Sequence, residues 1–266
     1  MISAENFAKV AEYADLFKQG MIVTILLSAL TVLLGFVLAM LLAVMRLSDL
    51  CPFRFLFRLC GWDRDKDGHL RDQGFITALC RFNPVSFLAT VYVEVFRATP
   101  MLVQLWLVYY ILFDKTVVDL PKVTVLGFIR LERFIPGVVA LALNSGAYLS
   151  EIVRAGIQSI DGGQTEAARS LGLSQVQNMR YIVLPQAIKN TLPAIANEFV
   201  TIIKESAITY TIGVQDIMSA VNATKGALYI MAEPLIVATV MYFCLTFPTS
   251  KIIAYFERRM SRGDKR

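Results

Sequence analysis

Four charged side chains stand in apolar surroundings. Glu94 and Arg97 interrupt an apolar stretch over residues 85–113, and Glu198 and Glu205 interrupt another over 193–212. An ionised group at the centre of a bilayer costs about 2.5–3.5 kcal/mol on the insertion scale, so each needs a counter-charge or a water-lined cavity. The three-residue spacing puts Glu94 and Arg97 on one side of a helix. The seven-residue spacing puts Glu198 and Glu205 two turns apart along one face. The set suits a zwitterion. Arg97 can grip a carboxylate with both prongs of its guanidinium, and Glu198 or Glu205 can take an ammonium group or a cationic side chain. Thr99 and Gln104 add uncharged hydrogen-bonding groups on the helix of Arg97. Two acids against one arginine favour a cationic or polar amino acid. The competing reading is an ion-pair network that only closes a helix bundle. Lys204 reads as structural, and Glu151 and Arg154 as shaping the approach to the polar segment that follows.

That segment, TEAARSLGLSQVQNMRYIVLPQ over residues 165–186, is the second constellation. Its grammar is helix–turn–helix. Gln164 to Ser170 are mostly helix formers, with Glu166 one turn from Arg169 and Ser170. Gly172 allows the positive φ that ends a helix. Ser174 is a good N-cap for a second short helix, Gln175 to Val183, and Pro185 is expected to stop or kink it. Ala167 and Ala168 make a small-residue face where another protein can approach. From the residues alone, a plain surface link between two spans and a docking element both remain open.

The elements that must position these groups are membrane helices. Of 266 residues, 56% are hydrophobic and only 18% charged, and the mean hydropathy is +0.57. Residues 21–45 carry no charge and at 1.5 Å per residue cross a hydrocarbon core of about 30 Å. They lack the basic start and cleavage site of a signal peptide. Five helical spans are expected, near 20–45, 85–113, 134–153, 193–212 and 229–256, in one domain over 1–266. They leave a polar insert over 46–83 and a loop over 160–186. Seventeen Lys and Arg residues fall on the side of the insert, the loop and the C-terminal tail, against seven on the other. The positive-inside rule then puts the loop and the C-terminus in the cytoplasm and the N-terminus outside. Cys51, Cys60, Cys80 and Cys244 read as reduced thiols. No C-x-x-C pair is present, and His69 is the one histidine, so zinc is not expected. Asp63 to Leu70 opens like a calcium loop, but its twelfth position is Gly74 instead of a bidentate Glu.

Glu166-Ala167-Ala168, then Gly172, then Ile182, Leu184 and Pro185 resemble the EAA loop of permease subunits of ATP-binding-cassette importers. Phe96 to Gln104, FRATPMLVQ, is similar to the RGTPLLVQ signature of the polar amino acid branch, with Ala98 in place of glycine. Asn144 to Ile157 resembles the stretch before that branch's EAA loop. LPAIANEF from Leu192 and Lys204-Glu205-Ser206-Ala207 resemble its LPALANEF and KDTS segments; Glu205 and Ser206 stand where the family usually has aspartate and threonine. The resemblance covers Gly20 to Met260. It implies an all-α membrane protein whose EAA loop, with Glu166, Ala167, Ala168, Gly172, Leu184 and Pro185, docks into a partner ATPase. It implies two ATPase copies that hold ATP and Mg, an extracytoplasmic binding protein, a second permease subunit, and the bacterial cytoplasmic membrane. Permeases of this branch can hold substrate between the helices that carry Arg97 and Glu198. No G-x-x-x-x-G-K-[ST] occurs in the chain, so energy from ATP must arrive from a partner. No cofactor and no nucleic acid are expected on this chain. The alternatives are a permease for another small solute, such as methionine or a phosphonate, and a channel or secondary transporter. An enzyme is disfavoured by the absence of H-E-x-x-H and G-x-S-x-G.

Overall fold

The computed structural model describes residues 2–47 and 82–261. The greater part of the 46–83 insert lies outside the described residues, and with it Cys51, Cys60, Cys80 and the stretch from Asp63 to Gly74. Cys244 is an exposed free thiol.

A short helix α1, Ala4–Ala11, starts at Ser3, whose hydroxyl accepts from the N–H of Asn6. The long helix α2, Ala14–Leu47, follows. Its 34 residues span about 50 Å at 1.5 Å per residue, well beyond the apolar run that marks it. Its Gly20 lets the backbone of Asp216 come so close that a Cβ would stand 2.7 Å from the Asp216 carbonyl oxygen.

The stretch expected as one span over 85–113 is two helices, α3 (Pro84–Ala98) and α4 (Met101–Leu107), with a wide π-turn at Val108–Leu112. The two arms are bent by 114°. The cause is local. Pro100 forces Thr99 into an extended conformation, φ −110° and ψ 146°, and the proline has no N–H to continue the ladder. After a two-residue-per-strand hairpin, β1 (Thr124–Val125) and β2 (Ile129–Arg130), comes the central helix α5, Leu131–Gln158. Packed against α2, α5 forms the spine of the fold. Among the described residues, Val23, Leu27, Leu105, Phe134, Val138 and Leu141 belong to the largest buried cluster.

The polar loop folds as α6 (Gly162–Ser170) and α7 (Gln175–Asn178); a π-turn at Met179–Val183 leads into α8 (Leu184–Glu205). Of the two outcomes expected of Pro185, a stop or a kink, the stop does not occur. The proline falls in the first turn of α8, where the missing N–H is tolerated, and the widened turn before it relieves the ring's clash with the preceding turn. The fourth span does not begin after Pro193 either, because α8 runs through that residue. A 3₁₀ turn at Ser206–Ile212, helix α9 (Ile217–Leu228) and helix α10 (Ala232–Ser261) complete the described chain. Glu233 accepts from Asn6 at 2.8 Å and from the Ser3 N–H at 3.3 Å, which ties α10 to α1.

Among the described residues, α2, α5 and α10 are long and apolar enough to cross a membrane. The bent α3–α4 pair passes as a broken fourth crossing. The α8 helix, with Lys189, Glu198, Lys204 and Glu205, is not among them.

Candidate functional site

The break after α3 creates an unsatisfied carbonyl. In an unbroken helix Phe96 O would accept from residue 100, but Pro100 has no donor. Gln104 supplies one. Its Nε2 lies 2.7 Å from Phe96 O, 2.9 Å from Thr99 O and 2.7 Å from Thr99 Oγ1. Its Oε1 accepts from Asn144 Nδ2 of α5 at 2.8 Å. Gln104 is 5% exposed and Asn144 6%. The two residues expected as uncharged ligands, Thr99 and Gln104, are thus brought together, with the Gln104 amide engaged by the protein itself. Tyr92 adds a bond from its hydroxyl to Leu143 O at 2.7 Å. The bend is pinned to α5 at two points.

Arg97 lies just before this break. Its pairing runs to Glu151, Nη1 to Oε2 at 4.0 Å, instead of to Glu94. Its guanidinium stands 5.8 Å from the Tyr148 ring centroid. Glu151 also receives Arg46 from the end of α2 and Arg154 one turn on, the latter at 2.5 Å. One carboxylate therefore gathers three arginines from three helices. Arg154 also donates to Gln158 at 2.7 Å. Glu94 is exposed and acts on Arg154 only through space. On α8, Glu198 lies beside Ser145 of α5 and feels the charge of Glu205. Glu205 is exposed and next to Lys204. Ser145 follows Asn144 in sequence, so Glu198 and the Gln104–Asn144 pair meet adjacent residues of α5. The candidate ligands divide into a buried neutral group at the break, a carboxylate on its flank, and Arg97 drawn to the Glu151 cluster.

A larger cavity, about 670 Å³, lies elsewhere. It runs between α2, α5 and α8 with walls such as Phe36, Met40, Ile188 and Phe199. An apolar wall cannot replace the water of an ionised solute, so this cavity is unsuited to one.

The α6–α7 hairpin is held by its turn. Gly172 takes φ +81°. Its N–H donates to Arg169 O at 2.9 Å, and Leu173 N–H to Ala168 O at 3.0 Å. This is the Schellman closure that satisfies the last carbonyls of a helix. Ser174 and Gln177 then form a reciprocal capping box. Asn178 Nδ2 donates to Thr165 Oγ1 at 3.1 Å and binds the two helices together. Ala168 is buried in this contact, whereas Glu166 and Ala167 face outward. Leu171 is 81% exposed, Val176 76% and Tyr181 62%. Leu184 is half-buried and Pro185 exposed at the hairpin's root.

Reading the sequence missed Arg46 and Asn144 as parts of the site. For Asn144 the signal is indirect, since a proline-broken membrane helix must find a donor for its orphaned carbonyl.

Residues 73–262 match the model of a family described as binding-protein-dependent transport system inner membrane component. The arginine transport system permease protein ArtQ of Bacillus subtilis is 42% identical over 194 residues, 72% of this chain and 84% of that protein. A putative glutamine transport system permease protein, GlnP of Rickettsia typhi, is 33% identical over 242 residues, 91% of each chain. Among solved structures, an amino acid ABC transporter with histidines superposes with a TM-score of 0.77 at 36% identity, covering 97% of this chain and 100% of that one. The MetNI methionine transporter shares the fold alone, at 17% identity and a TM-score of 0.62.

Proposed function

The chain belongs to the family of binding-protein-dependent transport system inner membrane components, and on that footing we propose that it carries a polar or cationic amino acid inward, with energy from ATP hydrolysed by a partner chain. It is a multi-pass inner-membrane permease subunit. The observation that carries the amino acid reading is that Arg97 of α3 and Glu198 of α8, a zwitterion's complement, both border α5, Arg97 at Glu151 and Glu198 beside Ser145. Relatives named for arginine and glutamine transport support the same class. A phosphonate offers no use for Glu198 and Glu205, methionine offers one ammonium group for two acids, and a channel or secondary transporter offers no use for the exposed α6–α7 hairpin.

In this reading the hairpin enters a cleft of the ATPase, with Glu166, Ala167, Leu171 and Val176 on its open face and Gly172 at its turn. Two ATPase copies hold ATP and Mg, a binding protein delivers substrate from outside, and a second permease subunit completes the pathway. With α8 as a fifth crossing, the N-terminus lies outside and the C-terminus in the cytoplasm, the orientation that the Lys and Arg distribution favours. Gly172→Val is expected to leave the subunit in the membrane and uncouple hydrolysis from uptake. A β-branched residue at φ +81° costs about 1–2 kcal/mol in the left-handed region. Unaltered uptake together with unaltered co-purification of the ATPase excludes the docking role.

The test of substrate class is uptake into proteoliposomes holding permease, ATPase and binding protein. Arginine, glutamine, methionine and a phosphonate are compared. Arg97→Ala is expected to reduce amino acid uptake roughly 10–150-fold, the worth of a charged hydrogen bond of about 1.5–3 kcal/mol. Glu205→Gln is expected to affect arginine more than glutamine, because only arginine loses a counter-charge. Uptake of methionine or the phosphonate alone rejects the reading.

A further inference from the structure

We propose that a cavity of about 380 Å³ between the π-turn at Val108–Leu112 and the start of α5 is a second binding site for a free amino acid, at the end of the molecule opposite the α6–α7 hairpin. The inference rests on the amino acid reading above, and on the orientation that places this end outside the cell.

The volume falls within the range of small-molecule sites, about 300–1,000 Å³. Unlike the apolar cavity, this one is lined by both signs of charge and by aromatic rings. Glu132 and Arg133, neighbours in the first turn of α5, line it together with Lys122, Tyr109, Tyr110 and Phe113. Glu132 Oε2 is buried without any hydrogen-bond partner. Such an oxygen is costly to leave unmatched, and an ammonium group that draws the half-buried side chain into the cavity is its natural complement. Arg133 is already oriented. Its guanidinium lies 5.1 Å from the Tyr109 ring centroid, and Nη1 donates to Ile212 O at 3.2 Å. With five N–H donors, an arginine anchored by one still offers others to a carboxylate. Asp114 also lines the cavity; its Oδ1 accepts from the Thr116 N–H at 2.9 Å and hydroxyl at 2.6 Å, and its Oδ2 and Asp119 add negative charge to the same wall.

The aromatic wall comes from the backbone. A π-turn is rare and is frequently found at functional positions. Here it places Tyr109 and Tyr110 edge to face, 4.9 Å between centroids, at the cavity rim. Tyr110 is 65% exposed, which leaves its ring free to lie against a ligand side chain. An acid, an arginine and aromatic faces around one cavity match an ammonium, a carboxylate and an aliphatic chain.

The test is equilibrium dialysis of radiolabelled L-arginine and L-glutamine against the permease–ATPase complex in lipid nanodiscs, with no binding protein present. The wild type is expected to bind one equivalent per permease that survives Arg97→Ala. Glu132→Gln should weaken that equivalent at least tenfold, Glu132→Asp should largely restore it, and Tyr110→Ala should weaken it several-fold. If Glu132→Gln does not assemble, the exposed Tyr110→Ala change decides. Binding that is identical in wild type, Glu132→Gln and Tyr110→Ala overturns the proposal. So does a defect seen only in binding-protein-driven uptake with direct binding unchanged, which would make this face a protein dock. A wild-type complex that neither binds nor transports either amino acid, even with the binding protein, fails at the level of substrate class instead.

Discussion

Replacing Glu151 with alanine lowers the stability of the permease by about 3–5 kcal/mol, the expected cost of removing one member of a buried ion pair. Its side chain is 16% exposed, and that of Arg46, its partner from the far end of α2, is 11% exposed. With the carboxylate gone, three guanidinium groups from α2, α3 and α5 remain in one place. Arg97 and Arg154 are 40% and 43% exposed and can turn toward water or headgroups. Arg46 cannot, so it carries most of the penalty. The loss is read as a fall in apparent unfolding temperature and membrane yield. Exchanging Arg46 and Glu151 together for methionine should recover most of it, because a pair replaced by apolar side chains leaves no stranded charge. A Glu151→Ala protein within about 0.5 kcal/mol of wild type, the range of neutral surface substitutions, shows that the cluster holds nothing together.

Where the chain follows local rules, the sequence is readable. The turn of the α6–α7 hairpin depends on Gly172 for its φ and on Ser174 for its cap, both set by residues within four positions. The Glu151 cluster is different. Arg46 and Glu151 are 105 residues apart, and no periodicity links them. Arg46 therefore reads only as a charge marking the cytoplasmic side. The candidate substrate residues lie between these cases. Spacing puts Glu94 and Arg97 on one side of a helix, but α5 supplies a better acid for Arg97 than its neighbour one turn away. Pro185 misleads for a related reason. A proline predicts a stop only if the turn before it stays regular, and the π-turn at Met179–Val183 absorbs it.

Gln104→Leu provides the sharpest separation of structure from substrate binding. If Gln104 is the staple of the broken helix, the change leaves Thr99 O and Asn144 Nδ2 without their main partner and weakens the bonding of Phe96 O. At about 1–3 kcal/mol per buried unsatisfied group, the protein is expected to lose roughly 3 kcal/mol or more. The loss should appear in thermal unfolding without any substrate present. Pro100→Ala on the same background returns an N–H to position 100 and offers Phe96 O a backbone donor. The double variant should therefore be about 1 kcal/mol more stable than Gln104→Leu alone, a coupling expected only of groups in one network. It should nevertheless transport poorly, because the proline that imposes the 114° bend is gone. A ligand role predicts the opposite pattern. Gln104→Leu would unfold like wild type and show only a raised KM for the amino acid, and Pro100→Ala would rescue nothing. Normal stability of Gln104→Leu removes the staple, and the bend must then be held by Pro100, the Tyr92 contact and the bond from Asn144 Nδ2 to Phe96 O.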